Sequence, residues 1–541
     1  MRKKLAMKIC ALAMTAAMVG TMAGCGNGDT ASGSANESGS AAEGSSDAGA
    51  GTEESGGADQ GSEESSADGG EGAEGGEAAS TFDGGGATIR INGGMWDDLR
   101  DDNKNEDGSY AQSYTIAWDM AAQLEAKYNI KLEYVKLQND DGYDTATAIQ
   151  NGILSGECFA DIFTAGDDVT LSLRNYLVDI TPFKDSLEMG SIYLEPATWA
   201  GKCYGFTYDN MGSVYVLAYS RDYLQSIGMD VTPTQKFLEG KWSYEDCTAY
   251  LTELKAKLPD GVYPFGIHST HWASMAPAAN GAVSVDSDGG IHIADENYTV
   301  TLEYYRSLVD AGLAAPITDV KKNDDGSLSA NQTYGMDNMC ASSGPKNAEG
   351  DNVVMTMVEA WQMEGLETSL AGSWGIVPFP WGPDVTVSGD YTTLSENYSV
   401  AQSIWTNMLV PKAEYRAAGA KDIPDEVLFQ IARDWCDMKN VAGGQVRKAA
   451  FDAEQSGTPY VNLGYDPGQI GAFSTEEDAA LYDWLHSRVI VDWGHAMQTL
   501  EYVNVNRNAA FVIAAGDDAR SSGESFKQAG EEKLAEAFGS N

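Results

Sequence analysis

Positive charge is what this chain has least of. Lys and Arg together number 34 against 81 Asp and Glu, for a formal net charge of −47 at pH 7. A surface so negative repels polyanions, so nucleic acid and bare anionic lipid are poor partners, whereas neutral and cationic ligands remain open. Catalytic signatures are missing as well. The sequence holds no Gly-x-Ser-x-Gly elbow, no Walker loop and no HExxH helix. His268 and His271 stand three apart with no third ligand nearby, which leaves zinc unsupported. Asn103-x-Asn105-x-Asp107-Gly108 imitates the start of a calcium loop, but Tyr114 occupies the place of the bidentate Glu. No metal or cofactor is expected. The seven cysteines are scattered and include no CxxC pair, which argues against a disulfide framework.

What is present begins with a basic start, Arg2, Lys3, Lys4 and Lys8. The apolar stretch Ile9 to Val19 that follows is too short to span a bilayer. Met22-Ala23-Gly24-Cys25 then resembles the lipobox of bacterial lipoproteins, with Met22 where Leu is usual. The resemblance implies that residues 1–24 are a signal peptide and that Cys25 is lipidated, mooring the chain outside the membrane. Residues 26–86 carry fourteen acidic and no basic side chains among Gly, Ser and Ala, with Phe82 the only aromatic. Such a segment cannot bury enough apolar surface to order itself, so 25–86 reads as a lipidated Cys and a disordered spacer. The five cysteines beyond it, Cys158, Cys203, Cys247, Cys340 and Cys436, read mostly as small buried hydrophobes.

The folded part starts near Ala87 and is too long for one core. Strands are expected at Ala87–Ile91, Ile130–Leu137 and Phe159–Phe163, and helices at Gln112–Tyr128, ending at Asn129, and at Tyr143–Leu154. This βαβαβ order predicts a parallel sheet with helices on both faces. Ligands of such sheets sit beyond the carboxyl ends of the strands. The loops Asn92–Leu99 and Thr164–Asp168 are therefore the first candidates.

Six further segments occur in a telling order: Asp161–Gly166 with Leu177–Thr181, Trp199–Gly205, Tyr215–Leu224, Lys241–Glu245, Trp374–Pro380 and Met408–Lys412. Together they resemble the extracellular solute-binding proteins of sugar-type ABC importers. The resemblance implies an α/β, two-lobed, periplasmic-binding-protein-like fold. Each lobe would be a mainly parallel sheet flanked by helices, with several chain crossings in the hinge. Lobe 1 would hold 87–212 and 398–445, lobe 2 213–397 and 446–541. Crossings near Tyr208–Val214 and Asn397–Ser403 would form the hinge. A monomer working with membrane permease subunits, and touching the membrane only through its lipid, is implied too.

Twelve Trp and twenty-six Tyr, all in the folded part, suit a carbohydrate, which offers apolar C–H faces beside hydroxyls. The ligand candidates are Trp96, Asp97, Asp167, Tyr208, Asn210, Trp272, Tyr398 and Trp405. Trp118, Trp435, Trp484 and Trp493 fall within helical patterns and are expected in the core. Trp381, between Pro380 and Pro383, is expected on a surface turn. The favoured reading is a non-catalytic carbohydrate receptor, with an oligosaccharide as the expected guest. The alternatives are a surface-anchored glycan hydrolase, because paired carboxylates can cleave glycosidic bonds, and a ligand-sensing subunit.

Overall fold

Two sheets, built from segments far apart in the sequence, organise the molecule. The computed structural model describes residues 82–92, 121–135, 145–209, 214–267, 275–316, 320–322, 328–330, 336–341, 344, 352–359, 373–402, 406–438, 475–494 and 505–538. The strands of the two larger sheets are β1 (Ala87–Asn92), β2 (Ile130–Tyr134), β3 (Ile162–Gly166), β4 (Gly205–Asp209), β5 (Tyr215–Ser220), β6 (Val262–Gly266), β7 (Asn352–Glu359), β8 (Trp374–Val377) and β9 (Thr406–Leu409).

The first sheet has the order β2-β1-β3-β9-β4. β1 runs parallel to β2 and β3, and β9 lies antiparallel between β3 and β4. Alternation decides its faces. Ile162 packs with Ile89, Ile91, Leu428 and Trp435 on one side, while Phe163 and Ala165 join the cluster containing Ile149 and Ile153 on the other. Full burial of each such aliphatic side chain contributes about 1.5–3 kcal/mol. The sequence places β1 correctly. The helix before β2 ends at residue 128, followed by Asn129 with a φ of +47°, the left-handed stop that Asn tolerates.

β3 starts at Ile162, three residues later than the pattern suggests. Asp161 explains the shift. Its fully buried carboxylate accepts hydrogen bonds from Arg90 N at 2.9 Å, Arg90 Nη2 at 3.1 Å and Ala417 N at 2.8 Å. The chain is held there by side-chain bonds before the strand begins.

The second sheet has the order β8-β5-β7-β6, with β7 antiparallel to β5 and parallel to β6. All eight residues of β7 are buried, as a central strand covered on both faces requires. Ser243 caps the helix Tyr244–Lys255, and Asp246 completes a capping box. The chain passes from the end of β4 at Asp209 to the start of β5 at Tyr215, and Val214 forms an antiparallel bridge with Gln402. Trp199 packs edge-on against Trp493 at 5.6 Å and lies 5.2 Å from Phe538, tying the hairpin at 198–203 to C-terminal elements. Cys158, Cys203, Cys247, Cys340 and Cys436 are all buried, which fits their expected role.

Trp381 corrects an expectation. It is 3% exposed, edge-on to Phe237 at 5.6 Å, and its backbone N–H donates to Trp242 O at 3.3 Å. The two flanking prolines fold the turn onto the core rather than away from it. Trp435 and Trp493 are in the core as expected, and Trp484 is half-buried against Tyr391. Trp118 lies outside the described residues.

Candidate functional site

Strand direction brings several candidate segments to one edge of the first sheet. Asn92, last in β1, pairs with Phe163, and Thr406, first in β9, pairs with both Gly166 and Asp209. The carboxyl ends of β1, β3 and β4 and the amino end of β9 thus share that edge. Asp167 follows directly, opening the helix α1 (Asp167–Leu173). Tyr208 contributes backbone to β4. Trp96, Asp97, Asn210, Trp272 and Trp405 lie outside the described residues, as do Cys25, His268, His271 and the stretch 103–108.

Asp167 is the described candidate with the most unusual surroundings. It is 4% exposed, and its Oδ1 accepts the N–H of Asp168 at 3.1 Å. Burial, and then the neighbouring charge of Asp168, hold its carboxyl well above the usual carboxylate range. A buried neutral carboxyl presents both a donor and an acceptor to a hydroxylated ligand.

Its position is fixed by a polar link that the sequence reading did not find. Thr170 Oγ1 donates to Gly166 O at 2.9 Å, and Asn407 Nδ2 donates to Thr170 Oγ1 and to Pro196 O, both at 3.1 Å. Thr170 and Asn407 are fully buried. α1 is thereby locked to β9, and Asp167 with it. The only sequence signal was a short polar residue, Asn407, interrupting an otherwise apolar strand.

The second sheet has an equivalent edge. Glu359, last in β7, pairs with Tyr215, first in β5, so this edge faces the crossing from β4. Glu359 is buried at 9% exposure. Applying the strand-end rule to β7 would have found it.

Tyr398 is not at either edge. It is fully buried, its hydroxyl donates to Phe379 O at 3.0 Å, and it packs against Phe237 and Trp381. The expectation that it meets a ligand gives way to a core role. Its phenol is enclosed because the loop around it folds back over the helix carrying Phe237.

Comparison with known proteins identifies the family and the fold. The sequence pattern of the bacterial extracellular solute-binding proteins matches residues 119–422, more than half of the chain. The chain belongs to that family. Solute-binding proteins of solved structure share its fold. One is the cyclic α-maltosyl-1,6-maltose binding protein from Arthrobacter globiformis, 11% identical, covering 83% of this chain and 99% of its own, with a TM-score of 0.51. Another is the galacto-N-biose-/lacto-N-biose I-binding protein of the ABC transporter from Bifidobacterium longum, in complex with lacto-N-biose. It is 14% identical, covers 84% of this chain and 99% of its own, and has a TM-score of 0.50. No curated protein matches by sequence. This solute-binding protein therefore has the two-lobed, periplasmic-binding-protein-like α/β fold. The family is extracellular, and no helix among the described residues is long and apolar enough to cross a membrane.

Proposed function

We propose that the protein is the membrane-anchored, extracellular binding component of an ABC importer, capturing an oligosaccharide between two lobes and delivering it to a permease. Lobe 1 comprises 87–212 and 398–445, and lobe 2 comprises 213–397 and 446–541. Lipidated Cys25 holds the protein to the outer face of the cell membrane, and the spacer up to residue 86 gives it reach. One observation carries the reading. Strand ends of two separate sheets, one headed by buried Asp167 and the other by buried Glu359, are linked by the short crossing at Val214 and Gln402. A guest touched by both lobes favours the closed form, which a permease can recognise.

The aromatic and acidic candidates favour a carbohydrate. Trp96, Asp97, Tyr208, Asn210, Trp272 and Trp405 are residue types that offer a sugar apolar plates and hydrogen-bonding groups, and we assign them to the guest together with Asp167. Lacto-N-biose and cyclic α-maltosyl-1,6-maltose, bound by two proteins of the same fold, belong to the same ligand class. A thermal-shift and Trp-fluorescence panel of lacto-N-biose, maltotriose, cellotriose and xylotriose tests it. At least one sugar should raise the melting temperature and be recovered intact by chromatography. No response from any neutral glycan rejects the carbohydrate, and cleaved sugar favours the hydrolase. Mass spectrometry of membrane-extracted protein should find lipid on Cys25.

A further inference from the structure

A hairpin beside the second sheet reaches across to a turn that belongs with the first. The hairpin 284–292 closes through Asp286 N–H to Gly290 O at 3.0 Å and His292 N–H to Ser284 O at 2.8 Å. It leads into helix α2 (Glu296–Asp310), whose Tyr305 packs against Phe265 of β6. On the other side, the turn 198–203 ends in Cys203, which packs with Ile89 and Phe206 of the first sheet. Ala200 donates its N–H to Ser287 O at 2.8 Å, and a side chain at Gly289 would rest on the Trp199 ring at 3.4 Å. Ala200 and Gly201 have φ values of +49° and +72°, the left-handed pair of a tight hairpin turn. The turn also follows Pro196, whose carbonyl accepts from Asn407, so it adjoins the polar link that seats Asp167.

His292 sets the shape of the hairpin. Its Nε2 lies 3.0 Å from Asp286 Oδ2 and its Nδ1 lies 2.8 Å from Asp295 Oδ2. An ionised carboxylate only accepts, so both ring nitrogens must donate, and only the imidazolium can do that. Asp286 Oδ1 meanwhile accepts the N–H groups of Asp288 at 2.9 Å and Gly290 at 2.8 Å, which fixes the tip. Asp295 stands at the start of α2 yet caps nothing with its side chain, leaving its carboxylate to the ring. Partial burial works against the ring's charge, but the bonds to Asp286 and Asp295 outweigh it, so the imidazole keeps its proton above the usual range. Other charged residues on the surrounding elements are Asp288 on the hairpin, Glu296 in α2, and Lys202 on the turn, paired with Asp179 at 3.8 Å. Arg520 and Glu524 flank Gly523 of helix α3 (Ala519–Phe538), and Gly523 lies against Ile293 O.

We infer that His292 is a proton-operated latch between the two lobes. As the imidazolium it fixes the hairpin so that Ser287 and Gly289 hold the turn 198–203, and on losing its proton it releases them. A neutral ring donates to one carboxylate only and turns a lone pair toward the other. The latch is complete below the ordinary imidazole value of about 6.5 and is lost as pH rises through the higher native value. The freedom of the lobes is thereby tied to the pH outside the cell. The inference goes beyond the sugar reading and rests on the assignment of 87–212 and 213–397 to different lobes.

Hydrogen exchange of the full-length protein, resolved to 198–203 and corrected for intrinsic rates, tests it without any sugar. In the wild type, protection of the Ala200 amide should fall about tenfold between pH 5.5 and pH 8.5, in step with the His292 ring titration followed by NMR. His292→Gln should give low protection at both pH values. Asp295→Asn removes one of the two carboxylates and should move the midpoint to lower pH; with the wild-type titration it decides the matter if His292→Gln fails to fold. Protection that ignores pH, or that varies equally in His292→Gln, would mean that packing against Trp199 alone holds the contact, and the inference fails. Because no sugar enters the experiment, failure of the carbohydrate reading is seen separately.

Discussion

The two ends of β3 each carry a buried aspartate, and their environments are opposite. At the amino end, Asp161 meets the Arg90 guanidinium and two backbone N–H groups, and Arg90 also reaches Glu157 at 3.0 Å and Cys158 O at 2.8 Å. At the carboxyl end, Asp167 is nearly as buried, yet burial and the charge of Asp168 push its carboxyl away from ionisation. Burial of an acid is therefore not in itself a sign of function. Charge compensation separates the two. A carboxylate matched by a cation and backbone donors braces the fold, whereas one raised by desolvation at a strand's carboxyl end fits the guest-binding role proposed above.

The comparison breaks most readily at Asp161. Asp161→Ala leaves the largely buried Arg90 without its main partner, and urea melts should show a loss of about 3 kcal/mol. A loss below about 1 kcal/mol would mean that the two ends do not differ as described.

Asp167→Asn should leave stability at neutral pH unchanged or raised, while sugar affinity falls about tenfold, or about 1.4 kcal/mol. Calorimetric titration against the best sugar of the panel measures the second effect. The pH dependence has a definite sign. Asp167 holds its proton more tightly folded than unfolded, so its favourable contribution is complete below the ordinary carboxylate range and drains as pH rises toward the native value. Wild type should therefore lose stability relative to Asp167→Asn between pH 4 and pH 7. The opposite slope in paired urea melts would show that the carboxylate is stabilised by partners after all.

The smallest effect sharpens the carboxyl end. Thr170→Val removes the hydroxyl joining Gly166 O to Asn407, at about 1 kcal/mol. Because that link positions Asp167, the same variant should weaken sugar binding more than an exposed control such as Ser155→Ala.

Local patterns made much of this fold legible. Ile89 and Ile91 alternate and Asn129 stops a helix, each through chemistry contained in a few neighbouring residues. The start of β3 was misplaced because Asp161 is held by Arg90 and Ala417, partners supplied by remote segments. Trp381 and Tyr398 were misplaced for a related reason. A proline-bounded turn and a loop look solvent-facing in sequence, and only tertiary packing encloses them. Within the site, the strand-end rule reached Asp167, but Glu359 needed β7 to be assigned first.

The insertion of β9 between β3 and β4 has a consequence for biogenesis. Among the described residues, β4 has no neighbour in the first sheet except β9, which is synthesised after every described strand of the second sheet. The earlier lobe therefore cannot close while the chain is still emerging, and its exposed edges persist until Thr406–Leu409 arrives. A polypeptide obliged to stay open this long remains thin enough to be threaded across a membrane, and its assembly is deferred to the far side.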